Sequence, residues 1–398
     1  INGGVLDVKG DYRIQSRTEK EDGSYSYGYS TGYLTMTNEA DKVKIGGSFV
    51  TDSSVNHSGK LTAGTMEIGG DFTQSSSKSS YNFAASGSHK VTFTSDKKHI
   101  VSISSASSSY SYFNKLDITG AEIELKYDTY LKNELIGEDG VITGKTIVIC
   151  NNAKVPSVIN GNVEIYENDT LAKDVQIKGS LCFYYSQFDL SGYTLTVDGD
   201  TTSYDSTINL NKGTYNSNGD FVVGRWARLN IVNAEDKLNV KGNFNYTSSY
   251  TGTITSGKIN IKGNCIIDSG CFCPSGENEI IFSGEAKQEV KVTNTSSYLN
   301  KIVIDNKSEE GVVFLTACEI NEISNPDNNK VTFYGGGKIG KTLEANEEIE
   351  GDYCLATGVL DLNGKTLTIN GNLIQSGGEI VINGGVLDVK GDYRIQSR

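Results

Sequence analysis

Proline is almost missing from this chain, with 3 residues in 398, and histidine (3), methionine (2) and tryptophan (1) are nearly as scarce. Without proline there is no Pro-rich linker to divide domains. Three histidines, His57, His89 and His99, none beside a Ser or Cys nucleophile, leave little material for acid–base or triad chemistry. No run reaches the roughly 18 apolar residues of a membrane-spanning helix, so no membrane insertion of this segment is expected. No stretch repeats apolar residues at helical spacing for long enough to form a helix. Positive charge is in deficit: 36 Lys and Arg stand against 49 Asp and Glu, a formal charge of -13. That disfavours nucleic acid as a partner, since phosphate contacts need clustered cations, and it keeps a long surface hydrated. The seven cysteines are odd in number and too sparse for a disulfide scaffold.

Glycine (45) and tyrosine (22) are abundant instead, while the 36% hydrophobic fraction suits a thin, extended core better than a large globular one. One short pattern recurs: apolar, any, apolar, any, Gly, then Asp, Asn or Ser. It stands as LDVKGDY at Leu6, VKIGGSF at Val43, MEIGGDF at Met66, LTVDGD at Leu195, LNVKGNF at Leu238, INIKGN at Ile259 and LTINGNL at Leu367. Alternating apolar residues make each copy a short strand, and the Gly-Asp or Gly-Asn pair ends it in a turn that can need a positive φ. The glycines set a step of 20 to 23 residues through Gly179, Gly199, Gly219, Gly242 and Gly263, and again through Gly351, Gly371 and Gly391; Gly10, Gly47 and Gly70 belong to the same series. These eleven positions are the expected coil corners.

Longer symmetries enclose this step. INGGVLDVKGDYRIQSR occupies residues 1–17 and again 382–398, so the chain reads as one 381-residue period plus an overlap, cut from a longer array. Within the period, SGSHKVTFTSDKKHIVSI (86–103) parallels SGENEIIFSGEAKQEVKV (275–292), and YFNKLDI (112–118) parallels YLNKIVI (298–304). Half-repeats of 86–274 and of 275–381 continuing into 18–85 follow.

A constant step with Gly returning to one corner is what a coil needs when every turn lies on the one below. The expected fold is all-β: one continuous, elongated parallel β-helix over 1–398, right-handed, without capping elements. A closed two-sheet sandwich explains less. At about 21 residues per coil the period makes about 18 coils, and stacking at roughly 4.8 Å gives a rod of about 87 Å. The polar insert TEKEDGSYSYGYST should be a loop extruded from one coil. A rod whose cross-section repeats can be lengthened without limit, so its expected partners are further copies of itself, joined in tandem or docked end to end.

Candidates for chemistry are few. Arginine concentrates only in GRWAR, where Arg225 and Arg228 flank the sole tryptophan, Trp226; the group is a carbohydrate subsite or a packed loop. Tyrosine among serines, as in SYSYGYSTGY, suits sugar stacking, lateral contact between rods, or simple anchoring of polar loops. Cys271 and Cys273 in SGCFCPSG are a vicinal pair, a soft-metal fragment with Cys265, or plain thiols; Cys182 and Cys354, each three residues past a corner glycine, are expected inside. No cofactor is expected. Surface calcium at the Gly-Asp corners stays open, although nonapeptide calcium solenoids repeat at less than half this step.

The corner motifs, and the S-G-x-x-x-V-x-F segment that leads into F-N-K-L-x-I, resemble the repeats of large β-solenoid surface proteins and adhesins of anaerobic Gram-positive bacteria, and more distantly filamentous haemagglutinin. The resemblance implies a secreted, cell-surface or fibre role and carries over no catalytic residue. The expected function is a structural, non-enzymatic repeat of an extracellular filament or stalk, with adhesive Tyr/Ser-rich loops. The alternative is a carbohydrate-binding or polysaccharide-degrading β-helix protein acting on host or matrix glycans.

Overall fold

A computed structural model describes residues 1–150, 152–294, 296–316, 318–327, 329–333, 338–349 and 352–395. Parallel strands stack as a β-solenoid of about 16 turns, with no helix among the described residues. The chain falls into two compact units, Ile1–Ser186 and Gln187–Arg398.

In the first unit, alternation in the strands becomes columns of like residues. Leu6 pairs with Val43, Val43 with Met66, Met66 with Val91 and Val91 with Leu116. A neighbouring column runs Ile45, Ile68, Phe93. Apart from Leu6 these side chains are buried, and each contributes roughly 1.5–3 kcal/mol through the water it sheds. Outward positions carry charge that the next coil answers: Lys90 meets Asp117 at 3.2 Å and Lys115 meets Glu134 at 3.1 Å. A one-residue slip would exchange the two sets, and so the register is fixed.

The second unit repeats the logic through Tyr215, Leu238, Ile259, Ile280 and Ile302. Outside that column Asn216, Asn239 and Asn260 lie one above another, with Asn239 Nδ2 donating to Asn216 Oδ1 at 2.9 Å. The parallel halves of the period place their polar residues alike. Asn114 Nδ2 donates to Gly87 O and Asn300 Nδ2 to Gly276 O, both at 2.8 Å. Gln288 Nε2 donates to Gly263 O at 2.7 Å, and His99 Nδ1 lies 2.5 Å from Gly70 O.

Two expectations need correction. Steps are wider in range than 20 to 23: Thr129 pairs with Ile147 and Ile147 with Val163, whereas Thr65 pairs with Lys90. The turns number about 16 rather than about 18, because inserts take up chain without adding a coil. The longest insert takes a regular form. Ser16–Glu19 and Tyr25–Gly28 form an antiparallel hairpin, closed where Gly23 adopts φ 77° after Asp22, a conformation an Asp-Gly pair favours.

Burial also fixes a pH response. His89 is fully buried, neither ring nitrogen has a hydrogen-bond partner, and desolvation pushes its pKa down to about 4. The unfolded chain binds that proton near pH 6.5, so stability is complete above this value and is lost as pH falls towards 4. His57, lowered to about 4 by burial and then by Lys60, acts in the same direction. Glu164, raised to about 7 by burial and then by Asp128, and Asp169, raised to about 6 by burial, act oppositely. The matching position in the other half-repeat is Asn278, equally buried. His89→Asn is therefore expected to remove about 2–3 kcal/mol of the loss between pH 7 and 4.5, read from urea midpoints at the two pH values. An unchanged pH dependence would contradict this.

Candidate functional sites: the stacking corners and the Trp226 platform

The corner glycines are needed for closeness, not for left-handed backbone. A Cβ would lie 2.4 Å from Asp11 Oδ1 at Gly47, 2.6 Å from the Gly47 carbonyl carbon at Gly70, 2.5 Å from the Gly219 carbonyl carbon at Gly242 and 2.3 Å from Gly242 O at Gly263. Gly179, Gly219 and Gly391 are crowded in the same way, the last two against Gly199 and Gly371. None of these seven crowded corners has a positive φ. At these positions closeness rather than a left-handed turn requires glycine: each coil's corner presses on the corner below, where no side chain fits. Gly10 has nothing within 4 Å, and Gly351 lies outside the described residues.

The residue after each corner glycine ties the coils together. Asp200 Oδ1 accepts from Asp220 N–H at 2.9 Å, Asp220 Oδ1 from Asn243 N–H at 2.7 Å, Asn243 Oδ1 from Asn264 N–H at 2.9 Å and Asn264 Oδ1 from Glu289 N–H at 2.8 Å. In the first unit Ser48 N–H donates to Asp11 Oδ1 at 2.8 Å and Ile100 N–H to Asp71 Oδ1 at 2.7 Å. Asx acceptance of this kind satisfies amides that a sheet edge would leave open. The corner carboxylates are engaged as ladder rungs, and among the described residues no group of three or more His, Cys, Asp or Glu could hold a metal ion.

GRWAR lies on a corner loop of the second unit. Trp226 is 58% exposed. Its ring centroid stands 6.4 Å from that of Tyr250, which is itself exposed. Arg225 reaches Asp205 at 3.4 Å and covers the Tyr204 ring at 5.1 Å, while Arg228 covers the Tyr250 ring at 4.3 Å. The structure thus brings Arg225, Trp226 and Arg228 together, and the arginines stack on tyrosines rather than on the tryptophan. Tyr204 and Tyr250, which complete the group, come from the coils on either side. No family model, curated protein or solved structure matches the chain.

Serine in the serine-tyrosine runs has a structural use that composition did not disclose. Ser248 Oγ donates to Ala227 O at 2.6 Å, and Ser269 Oγ and Ser297 Oγ continue the line to Ser248 O and Ser269 O. This inner ladder lies under the loops that carry Trp226 and Tyr250. In the run SYSYGYSTGY, Tyr25, Tyr27, Tyr29 and Tyr33 are exposed, and Arg17 covers the Tyr25 ring at 4.3 Å, whereas Tyr246 of the later run is buried.

Cys271 and Cys273 are unbridged, and their thiols donate to Ser249 O at 3.2 Å and Ser296 O at 3.5 Å. Cys182 is a further correction. It is half-buried between the buried Leu181 and Phe183, so it takes the outward parity, whereas Cys354 is buried as expected. Burial, and then Glu164, raise the Cys182 thiol to about 11, which leaves it a poor nucleophile.

Proposed function

We propose that this chain is a structural repeat of a secreted, extracellular bacterial filament or stalk, extended by solenoid coils that continue from one copy into the next. One observation carries the reading. The sequence shared by 1–14 and 382–395 occurs with a neighbour on opposite sides: Val5 pairs forward with Lys42, and its counterpart Val386 pairs backward with Thr366. The corner ladder agrees, since Asp11 Oδ1 accepts from Ser48 N–H at 2.8 Å while Asp392 N–H donates to Asn372 Oδ1 at 2.8 Å. Arg13 and Arg394 hold the other carboxylate oxygen alike, at 2.7 and 2.6 Å. One coil sequence therefore accepts a coil on either face without a change in its own pairing. Ile14, covered by the coil that follows it, is 6% exposed, whereas its counterpart Ile395 is 75% exposed. A following copy would bury it.

The reading supports a role in which length is the product, consistent with the resemblance to surface solenoids. Immunogold labelling of intact producing cells with antibody against residues 1–398 checks it: label on filaments or stalks outside the envelope is expected. Label confined to the cytoplasm would overturn the assignment.

A further inference from the structure

We propose that Trp226, Tyr250 and Arg228 form a binding platform for a carboxylated glycan, a polysaccharide of uronic-acid type. The platform is independent of filament continuation. Trp226 is the chain's only tryptophan, and a ring of that size is ordinarily well covered; here it is 58% exposed beside a second exposed aromatic, Tyr250. The two rings come from adjacent coils, as the pairing of Val223 with Tyr246 establishes. Their centroids stand 6.4 Å apart across that one coil step. Flat rings with polar tips suit the C–H faces and hydroxyls of sugars.

The platform is also held in place before any ligand arrives. Ser249 N–H donates to Arg225 O at 2.6 Å, Tyr250 N–H to Ser248 Oγ at 3.0 Å, and Tyr246 OH to Tyr250 O at 2.7 Å. Little conformational freedom is left to lose on binding.

Charge selects the class of sugar. Asp205 already answers Arg225. Arg228 is exposed, lies 4.3 Å over the Tyr250 ring and forms no ion pair among the described residues. An unanswered guanidinium on a chain of formal charge -13 favours a planar carboxylate, which it can hold through two parallel hydrogen bonds.

Because Trp226 is the only tryptophan, its fluorescence reports on this surface alone. Titration of the 1–398 chain with polygalacturonate is expected to shift the emission saturably, and Arg228→Ala to weaken binding about tenfold or more. The variant should keep the circular dichroism and thermal midpoint of the parent, since Arg228 is exposed. Raised salt should weaken the parent's binding more than the variant's. Three outcomes would overturn the proposal: no saturable shift with polygalacturonate, equal affinity for a neutral glucan with no effect of Arg228→Ala, or an emission shift that follows protein concentration without glycan. The last would make the platform a lateral contact between copies.

Discussion

Phe72→Ala is expected to destabilise the first unit by about 3–5 kcal/mol. The ring is fully buried, and the rings of Phe49, Phe83 and Phe113 lie 5.4, 4.7 and 4.9 Å from it. Removing it opens a void that three rigid neighbours in close-packed coils cannot fill. Each edge-on or tilted pair lost adds roughly 0.5–1.5 kcal/mol to the transfer cost. In a solenoid each coil contacts only its neighbours, so the damage should begin locally. Amide exchange is expected to quicken first in Phe49–Thr51, Phe72–Gln74 and Lys98–Ile103, the strands paired through Phe72's own. A loss under about 1 kcal/mol would mean that the aromatic column is not the core it is taken to be.

Gly242→Val is expected to cost about 3 kcal/mol or more, for a different reason. The new side chain would meet the Gly219 carbonyl carbon and Asp220 Oδ1, each 2.5 Å from its Cβ. Neither can withdraw: Gly219 O accepts from Gly242 N–H at 3.1 Å, and Asp220 Oδ1 accepts from Asn243 N–H at 2.7 Å. Overpacking costs roughly 1–3 kcal/mol, and separating the coils also breaks a hydrogen bond to a carboxylate, about 1.5–3 kcal/mol more. Gly10→Val is the control. With nothing within 4 Å of its Cβ, it should stay within about 0.5 kcal/mol of the parent. Urea unfolding of the two variants distinguishes a requirement for closeness, which only Gly242 has, from one for glycine as a residue type, which both would share.

These glycines illustrate how far the sequence was readable. Their spacing gave away the coil because one constraint acts once per turn, and the alternation of Leu6 and Val8 or Leu238 and Val240 gave away which residues face inward. The cause was not readable in the same way. Gly-Asp and Gly-Asn favour both left-handed turns and close backbone approach, and only the position of the coil below decides between them. The place of Cys182 was not readable from its distance to the corner glycine: Cys354 and Val50 also stand three residues past theirs, and both are buried.

The site was readable in part. GRWAR stood out through composition, but Tyr204 and Tyr250 could be assigned to it only once loops of unequal length had been stacked, since steps from Ile147↔Val163 to Thr65↔Lys90 differ too much for a fixed ruler. The serine ladder was hidden for a related reason. A hydroxyl inside a corner and a hydroxyl on a loop look alike in composition, and Ser248 separates from Ser249 only through its hydrogen bond to Ala227 O at 2.6 Å.

The proposal that coils template one another across copies is tested most directly by electron cryo-microscopy of a single polypeptide carrying residues 1–381 followed by 1–398. One unbroken stack of parallel strands is expected through the junction, at ~4.8 Å spacing, with the shared seventeen-residue coil covered on both faces and the junction isoleucine buried as Ile14 is. A gap, a kink or a change of strand direction at that coil would contradict it.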